Sequence, residues 1–176
     1  MYKIGDYVVH ESSSVCQIDD IVDMELAGKG SMRTYYTMTP VFKSGAQVFT
    51  PVEGSKLKLR EVTPAEQFTK IMDEIGQLDI IDEENDRLRA EKFKNRMSEF
   101  TPEAIASVVK TVLVRKWARI ANGKKVMASD EKVLAIAGKK LYEEMSFTMD
   151  KTIAEVQNMF EDRVRATSDD MIAKVL

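Results

Sequence analysis

Apolar residues recur at about every second position up to residue 62 and at about every 3.6 positions from residue 63 onward. One switch of period, with no return, predicts a β-domain over 1–62 followed by a helical domain over 63–176, an α+β chain with its two classes segregated. The first stretch contains Lys3-Ile4-Gly5-Asp6-Tyr7-Val8-Val9-His10, Val15-Cys16-Gln17-Ile18, Tyr35-Tyr36-Thr37-Met38, Val48-Phe49-Thr50-Pro51-Val52 and Leu59-Arg60-Glu61-Val62. Each run is short, rich in β-branched or aromatic residues, and bounded by Gly, Ser, Pro or charge, which predicts about five strands in one small, strongly curved sheet. Gly28-Lys29-Gly30-Ser31 falls between two of them and reads as a hairpin connection.

The second stretch predicts about five helices. Thr63-Pro64-Ala65-Glu66 has the residues of a helix start, with Thr63 as cap, Pro64 in the first turn and Glu66 three residues after the cap. Phe68, Ile71, Met72, Ile75 and Leu78 then form one face. A second helix starts near Asn85 or Asp86 with Leu88, Phe93 and Met97 inward. Thr101-Pro102 starts a third, which carries Ile105, Val108, Val109, Val112, Leu113, Trp117 and Ile120 to a stop at Asn122-Gly123. Ser129-Asp130-Glu131 opens a fourth, with Val133, Leu134, Ile136, Ala137, Leu141 and Met145 as its stripe. The fifth, from about Asp150, uses Ile153, Val156, Met159, Phe160 and Val164, and the last ten residues fray or extend it.

Composition narrows the functional classes. One cysteine, Cys16, excludes an internal disulfide and fits a reducing cytoplasm, and its strand setting predicts a buried, inert thiol. A single histidine, His10, leaves little material for a zinc site or a histidine relay. No phosphate-binding glycine loop and no nucleophile in a recognisable context stand in the sequence, so neither an enzyme, a cofactor nor a small-molecule substrate is expected. No run approaches the ~20 apolar residues that span a bilayer, which predicts a cytoplasmic protein without a membrane partner. The carboxylates Asp82, Glu83, Glu84 and Asp86 are contiguous and lack the spacing of a calcium loop; they read as a solvated helix junction.

Charge is unevenly spread. The chain totals −3, yet residues 66–86 hold one lysine against eight acids, and residues 87–140 hold 14 basic and five acidic residues, a local net of +9. Phosphates respond to a local basic face and not to the global sum, so the helical half is the candidate for nucleic acid; solvated helix faces are the alternative.

The order and wording of the strand runs resemble the N-terminal domain of the CarD/CdnL family of bacterial transcription regulators, a domain shared with the transcription-repair coupling factor. The Gly123…Ser129-Asp130-Glu131-Lys132 junction adds to the resemblance, which covers roughly residues 2–146. It implies a Tudor-like small β-barrel that docks on the β subunit of RNA polymerase, and a helical domain that touches upstream promoter DNA. The docking strand corresponds to Gln47, Val48, Phe49 and Thr50; alternation puts Val48 and Thr50 on one face and Gln47 and Phe49 on the other, without fixing which faces outward. Basic residues of family members near this interface align with Met24 and Phe49, and the usual loop after the first strand is replaced by His10-Glu11-Ser12-Ser13-Ser14.

In the helical domain the family's phosphate-contacting residues align with Lys94, Arg115 and Lys132, and Arg89, Lys92, Lys116, Arg119, Lys124 and Lys125 could add to the same field. The family's minor-groove wedge, a tryptophan, falls about four residues before Phe93, where this chain reads Arg87-Leu88-Arg89. Arg89 could enter a narrow minor groove electrostatically. Trp117 falls on the apolar stripe of the third helix, which predicts core packing. The implied function is modulation of open promoter complexes by tethering weak, largely sequence-independent DNA contacts to the polymerase. The alternative is an adaptor without DNA contact. If Lys94, Arg115, Lys116 and Lys132 share a face free of acids, the first reading gains; if each is paired with a carboxylate, the second does.

Overall fold

The β-unit is one antiparallel sheet whose longest strand bends. In chain order it comprises β1 (Tyr7–His10), β2 (Ser14–Met24), β3 (Arg33–Pro40), β4 (Val48–Pro51) and β5 (Leu59–Glu61). The computed structural model describes residues 1–26, 28 and 30–174, the side chains of 169–174 excepted. Spatial order is β4-β3-β2-β1-β5. A register shift between Ile18 and Asp20 interrupts the β2–β3 ladder, and such a bulge increases local twist and bends the strand. Val8, Cys16, Ile18, Tyr36 and Met38 form the buried core of this unit. Tyr2 stacks at a tilt on Tyr36 and donates its backbone N–H to the Tyr36 hydroxyl at 3.1 Å. His10 is buried, and its Nδ1 accepts from the Ser12 backbone at 3.3 Å.

The expected barrel is not closed. Closure needs the two terminal strands to pair, but β4 and β5 span only four and three residues and lie at opposite edges of the sheet. The Gly28–Ser31 connection does join the adjacent antiparallel strands β2 and β3; Lys29 lies outside the described residues.

The second compact unit runs from Thr63, the first ending at Val62. It contains α1 (Ala65–Asp73), a single 3-10 turn (Ile75–Gln77), α2 (Asp86–Ser98), α3 (Pro102–Ala121), α4 (Ala128–Met149) and α5 (Ile153–Lys174). Helix α3 is the hub, with Ile105, Val108, Val109, Val112 and Leu113 buried against the other four. Thr101 caps it by accepting from the Ala104 N–H at 3.2 Å, and Gly123 leaves it at φ +65°, where a side chain would be strained. Thr152 and Glu155 form a reciprocal capping box at the start of α5; these hydrogen bonds hold the Glu155 carboxyl below its ordinary pKa.

Several inward expectations shift. Thr63 does not cap α1: its backbone N–H donates instead to the Glu144 carboxylate of α4 at 2.9 Å, and the helix starts one residue later than expected, at Ala65. Leu88, Ile120 and Ile136 are about half exposed: among the described residues none of the three is covered by a neighbouring helix. Trp117 packs partly buried against the core, with the Arg165 guanidinium 4.7 Å from its ring.

One polar stripe on α3 fixes the extended segment before α2. Lys110, 1% exposed, donates to the Gly76 and Leu78 carbonyls at 3.3 and 2.7 Å. Ser107 donates to the Asp79 carbonyl at 2.7 Å, and the Thr111 hydroxyl accepts from the Ile81 N–H at 3.1 Å. Spacing of three and four residues puts all three on one helix face. Burial pulls the Lys110 pKa below its ordinary value, with the Asp79 charge acting in the opposite direction. Replacing Lys110 by methionine fills the space but takes the ammonium donor from two part-buried hydrogen bonds, so we expect a loss of about 1–3 kcal/mol in chemical denaturation, with α3 retained by circular dichroism.

Candidate functional site

Two surfaces matter, one on each unit. One of the two edges of the β-unit is β4. Val52 donates its N–H to the Thr34 carbonyl at 2.9 Å, and the register continues as Tyr36↔Thr50 and Met38↔Val48. In an antiparallel ladder hydrogen-bonded pairs alternate with open ones. Thr50 and Val48 therefore spend their backbone groups on β3, while Phe49, opposite Thr37, turns its N–H and C=O to the open side. Pro51, opposite Tyr35, has no N–H to offer there, which limits indiscriminate pairing along the edge.

Side chains of the same strand divide cleanly. Thr50 is buried and Val48 packs on the core, whereas Gln47 is exposed and Phe49 remains 40% exposed. The question left by alternation is thus settled: Phe49 faces outward. Met24 is half-buried at the far end of β2, paired with Arg33. Val41 and Phe42, in the loop leading into β4, are also exposed and were not singled out from sequence; an apolar pair in a Lys-Ser-Gly loop is the signal.

The cations of the helical unit fall into two groups. Arg89 is only 2% exposed, and its guanidinium is consumed internally. It donates to the Glu83 and Glu84 carbonyls at 3.0 and 3.2 Å and to the Asp86 carboxylate at 2.6 Å, and its Nε lies 3.7 Å from Asp130. Arg115 donates to the other Asp130 oxygen at 3.1 Å. Asp130, itself buried, therefore bridges an arginine of α2 and an arginine of α3 at the start of α4. Both guanidinium groups also approach the Met127 sulfur, at 3.7 and 3.9 Å. Lys92 pairs with Glu83 at 2.9 Å, and Arg119 donates to the Lys125 carbonyl at 2.8 Å. The expectation that Arg89 reaches outward to a partner is corrected by this placement, for its charge is neutralised inside.

The second group is unspent. Lys94, Lys116, Lys124, Lys125 and Lys132 make no ion pair with another described residue. Four of them fall between the second half of α3 and the first turn of α4. Residues 115–132 hold six cations and two acids, and one of those acids, Asp130, is buried. The expected face is therefore real only in part: Arg115 is carboxylate-paired, whereas Lys94, Lys116 and Lys132 are not.

The family model of the CarD-like/TRCF RID domain matches residues 2–63. Residues 2–63 belong to that domain family. The RID domain is the β-unit described above. Comparison of the chain with curated proteins gave no match. Among the described residues no helix is long and apolar enough to cross a membrane. Edge strand β4 of the RID domain carries the outward-facing Phe49.

Sequence reasoning used Asp130 only as part of the helix start and of the Ser129–Lys132 junction; the acid pair Asp130-Glu131 in an otherwise basic stretch is the available signal. Changing Asp130 to asparagine leaves one fully buried and one partly buried arginine short of a carboxylate. We expect about 3–5 kcal/mol of lost stability in denaturant titration, against less than about 0.5 kcal/mol for Lys132→Gln.

Proposed function

We propose that this chain regulates transcription initiation without catalysing a reaction: the RID domain binds the β subunit of RNA polymerase along β4, and the helical unit contacts upstream promoter DNA. The observation that carries the first half is the open β4 edge, where Phe49 projects its ring and directs both its backbone groups outward. Strand addition uses such an edge: main-chain hydrogen bonds supply affinity and the projecting aromatic supplies a pocketed anchor. Gln47 shares the outward face, while Val48 and Thr50 hold the strand to the core.

The DNA-facing half rests on Lys116, Lys124, Lys125 and Lys132, with Lys94 on α2. Free lysines suit phosphate positioning without sequence readout. Ile120, one turn after Lys116 and exposed, and Leu88, 49% exposed beside Arg87, are the apolar side chains available where the family's wedge is missing. Tethering to the polymerase raises the local concentration of these weak contacts, so they shift the balance between closed and open promoter complexes by their differential affinity for the two.

A second reading, an adaptor that does not touch DNA, draws on the cations already neutralised: Arg89, Arg115 and Lys92 each have a carboxylate. Two measurements separate the halves. Phe49→Asp should weaken binding to isolated polymerase β subunit at least tenfold in calorimetry while leaving denaturant stability within about 1 kcal/mol, since the side chain is already outside the core. Joint replacement of Lys116, Lys124, Lys125 and Lys132 by glutamine should leave that affinity unchanged. It should lower the salt slope of duplex DNA binding by up to about 3–4, roughly 0.9 for each phosphate no longer neutralised; an unchanged slope favours the adaptor.

A further inference from the structure

A second recognition feature lies between α4 and α5. The two helices enclose an open groove of about 440 Å³ whose floor includes Leu134, Ala135 and Ile153. Its walls carry three carboxylates, Glu131, Glu143 and Glu161, against one cation, Lys139. The ammonium of Lys139 stands 3.9 Å from Glu143, at the outer limit of an ion pair, although Glu143 is only 6% exposed. Glu161 accepts from the Gln157 side chain at 2.8 Å. Beside them Tyr142 is 5% exposed, and its buried hydroxyl has no hydrogen-bond partner among the described residues.

The tyrosine is held there at a cost. Gly138, one turn earlier on α4, stands in a helix interior, where glycine costs about 1 kcal/mol relative to alanine. A Cβ at that position would come within 3.2 Å of the Tyr142 ring, so glycine lets the ring lie against the helix. Phe160 of α5 meets the other side edge-on, with ring centroids 6.0 Å apart. The phenol is thus fixed by packing while its oxygen is left without a partner. Burial, and after it the Glu161 charge, push its pKa up, so it stays neutral.

An under-neutralised carboxylate set, an unpartnered hydroxyl and an apolar floor call for a ligand with several N–H donors on a hydrocarbon stem. We propose that the α4–α5 groove binds a primary alkylammonium group, its stem along Leu134 and Ile153 and its head among Glu143, Glu161 and the Tyr142 hydroxyl. A free diamine and a lysine side chain of a partner both present this chemistry.

The test is titration of the isotopically labelled full chain, followed by amide NMR, with 1,4-diaminobutane and separately with Nα-acetyl-lysine methylamide. Ionic strength is matched with KCl, and 1-butanol serves as the uncharged stem. We expect saturable shifts at Gly138 and at the Gln157 side-chain amide with the diamine but not with KCl or butanol. Glu161→Gln should weaken the binding at least fivefold, and Glu66→Gln on α1 should leave it unchanged. Binding of the lysine derivative as well marks the groove as a lysine-side-chain site, and binding of the diamine alone marks it as a polyamine site. Shifts that do not saturate, or that survive Glu161→Gln undiminished in a spectrum that shows the variant folded, overturn the proposal.

Discussion

A carboxylate taken out of water between two guanidinium groups determines what the helical unit has left for a partner. Burying Asp130 alone would cost several kcal/mol; it is sustained because Arg89 and Arg115 meet both of its oxygens. The bridge ties the first turn of α4 to α2 and α3 and so fixes the course of the α3–α4 loop. It also spends two guanidinium groups, good phosphate ligands, on an internal carboxylate, one of them fully buried and the other partly. What remains free is a set of lysines arranged around that junction, point charges suited to positioning on a phosphate backbone and poorly suited to reading bases. The absence of an aromatic wedge near Phe93 points the same way: contacts of this kind add affinity without specificity.

In the β-unit the comparable constraint is strand register. Pairing with β3 consumes the backbone of Val48 and Thr50 and buries Thr50; as a direct consequence Phe49 projects from a free edge. A slip of one residue would bury Phe49 and turn Val48 and Thr50 outward in its place. Register therefore links the fold of residues 2–63 to the interaction expected of a RID domain. In the function proposed above the two surfaces divide the labour: a directional apolar edge would attach to a protein, and diffuse charge to a polyanion.

Much of this was legible in the sequence. Five strands and five helices follow from apolar period and boundary residues, and Thr101-Pro102 and Asn122-Gly123 bound α3 because capping is local chemistry. The sheet's bulge and open ends were not legible, since closure depends on which strands meet. Thr63 was misread because Glu144, far along the chain, competes for its N–H. Leu88, Ile120 and Ile136 were misread because periodicity gives the direction of an apolar stripe but not the width its neighbours cover. Arg89 carried the same ambiguity at higher stakes: only the tertiary approach of Asp130 decides whether that arginine is spent or available.

The central claim is that polymerase attachment through β4 brings the free lysines of the α3–α4 junction to promoter DNA. Its most direct test is the lifetime of open promoter complexes after addition of a DNA competitor. The host polymerase would be assayed alone, with the native chain, and with the chain in which Lys116, Lys124, Lys125 and Lys132 are glutamine. The account predicts that the native chain changes the lifetime and that the lysine variant, although it still binds the polymerase, returns it to that of polymerase alone. A variant that changes the lifetime as fully as the native chain would contradict the account.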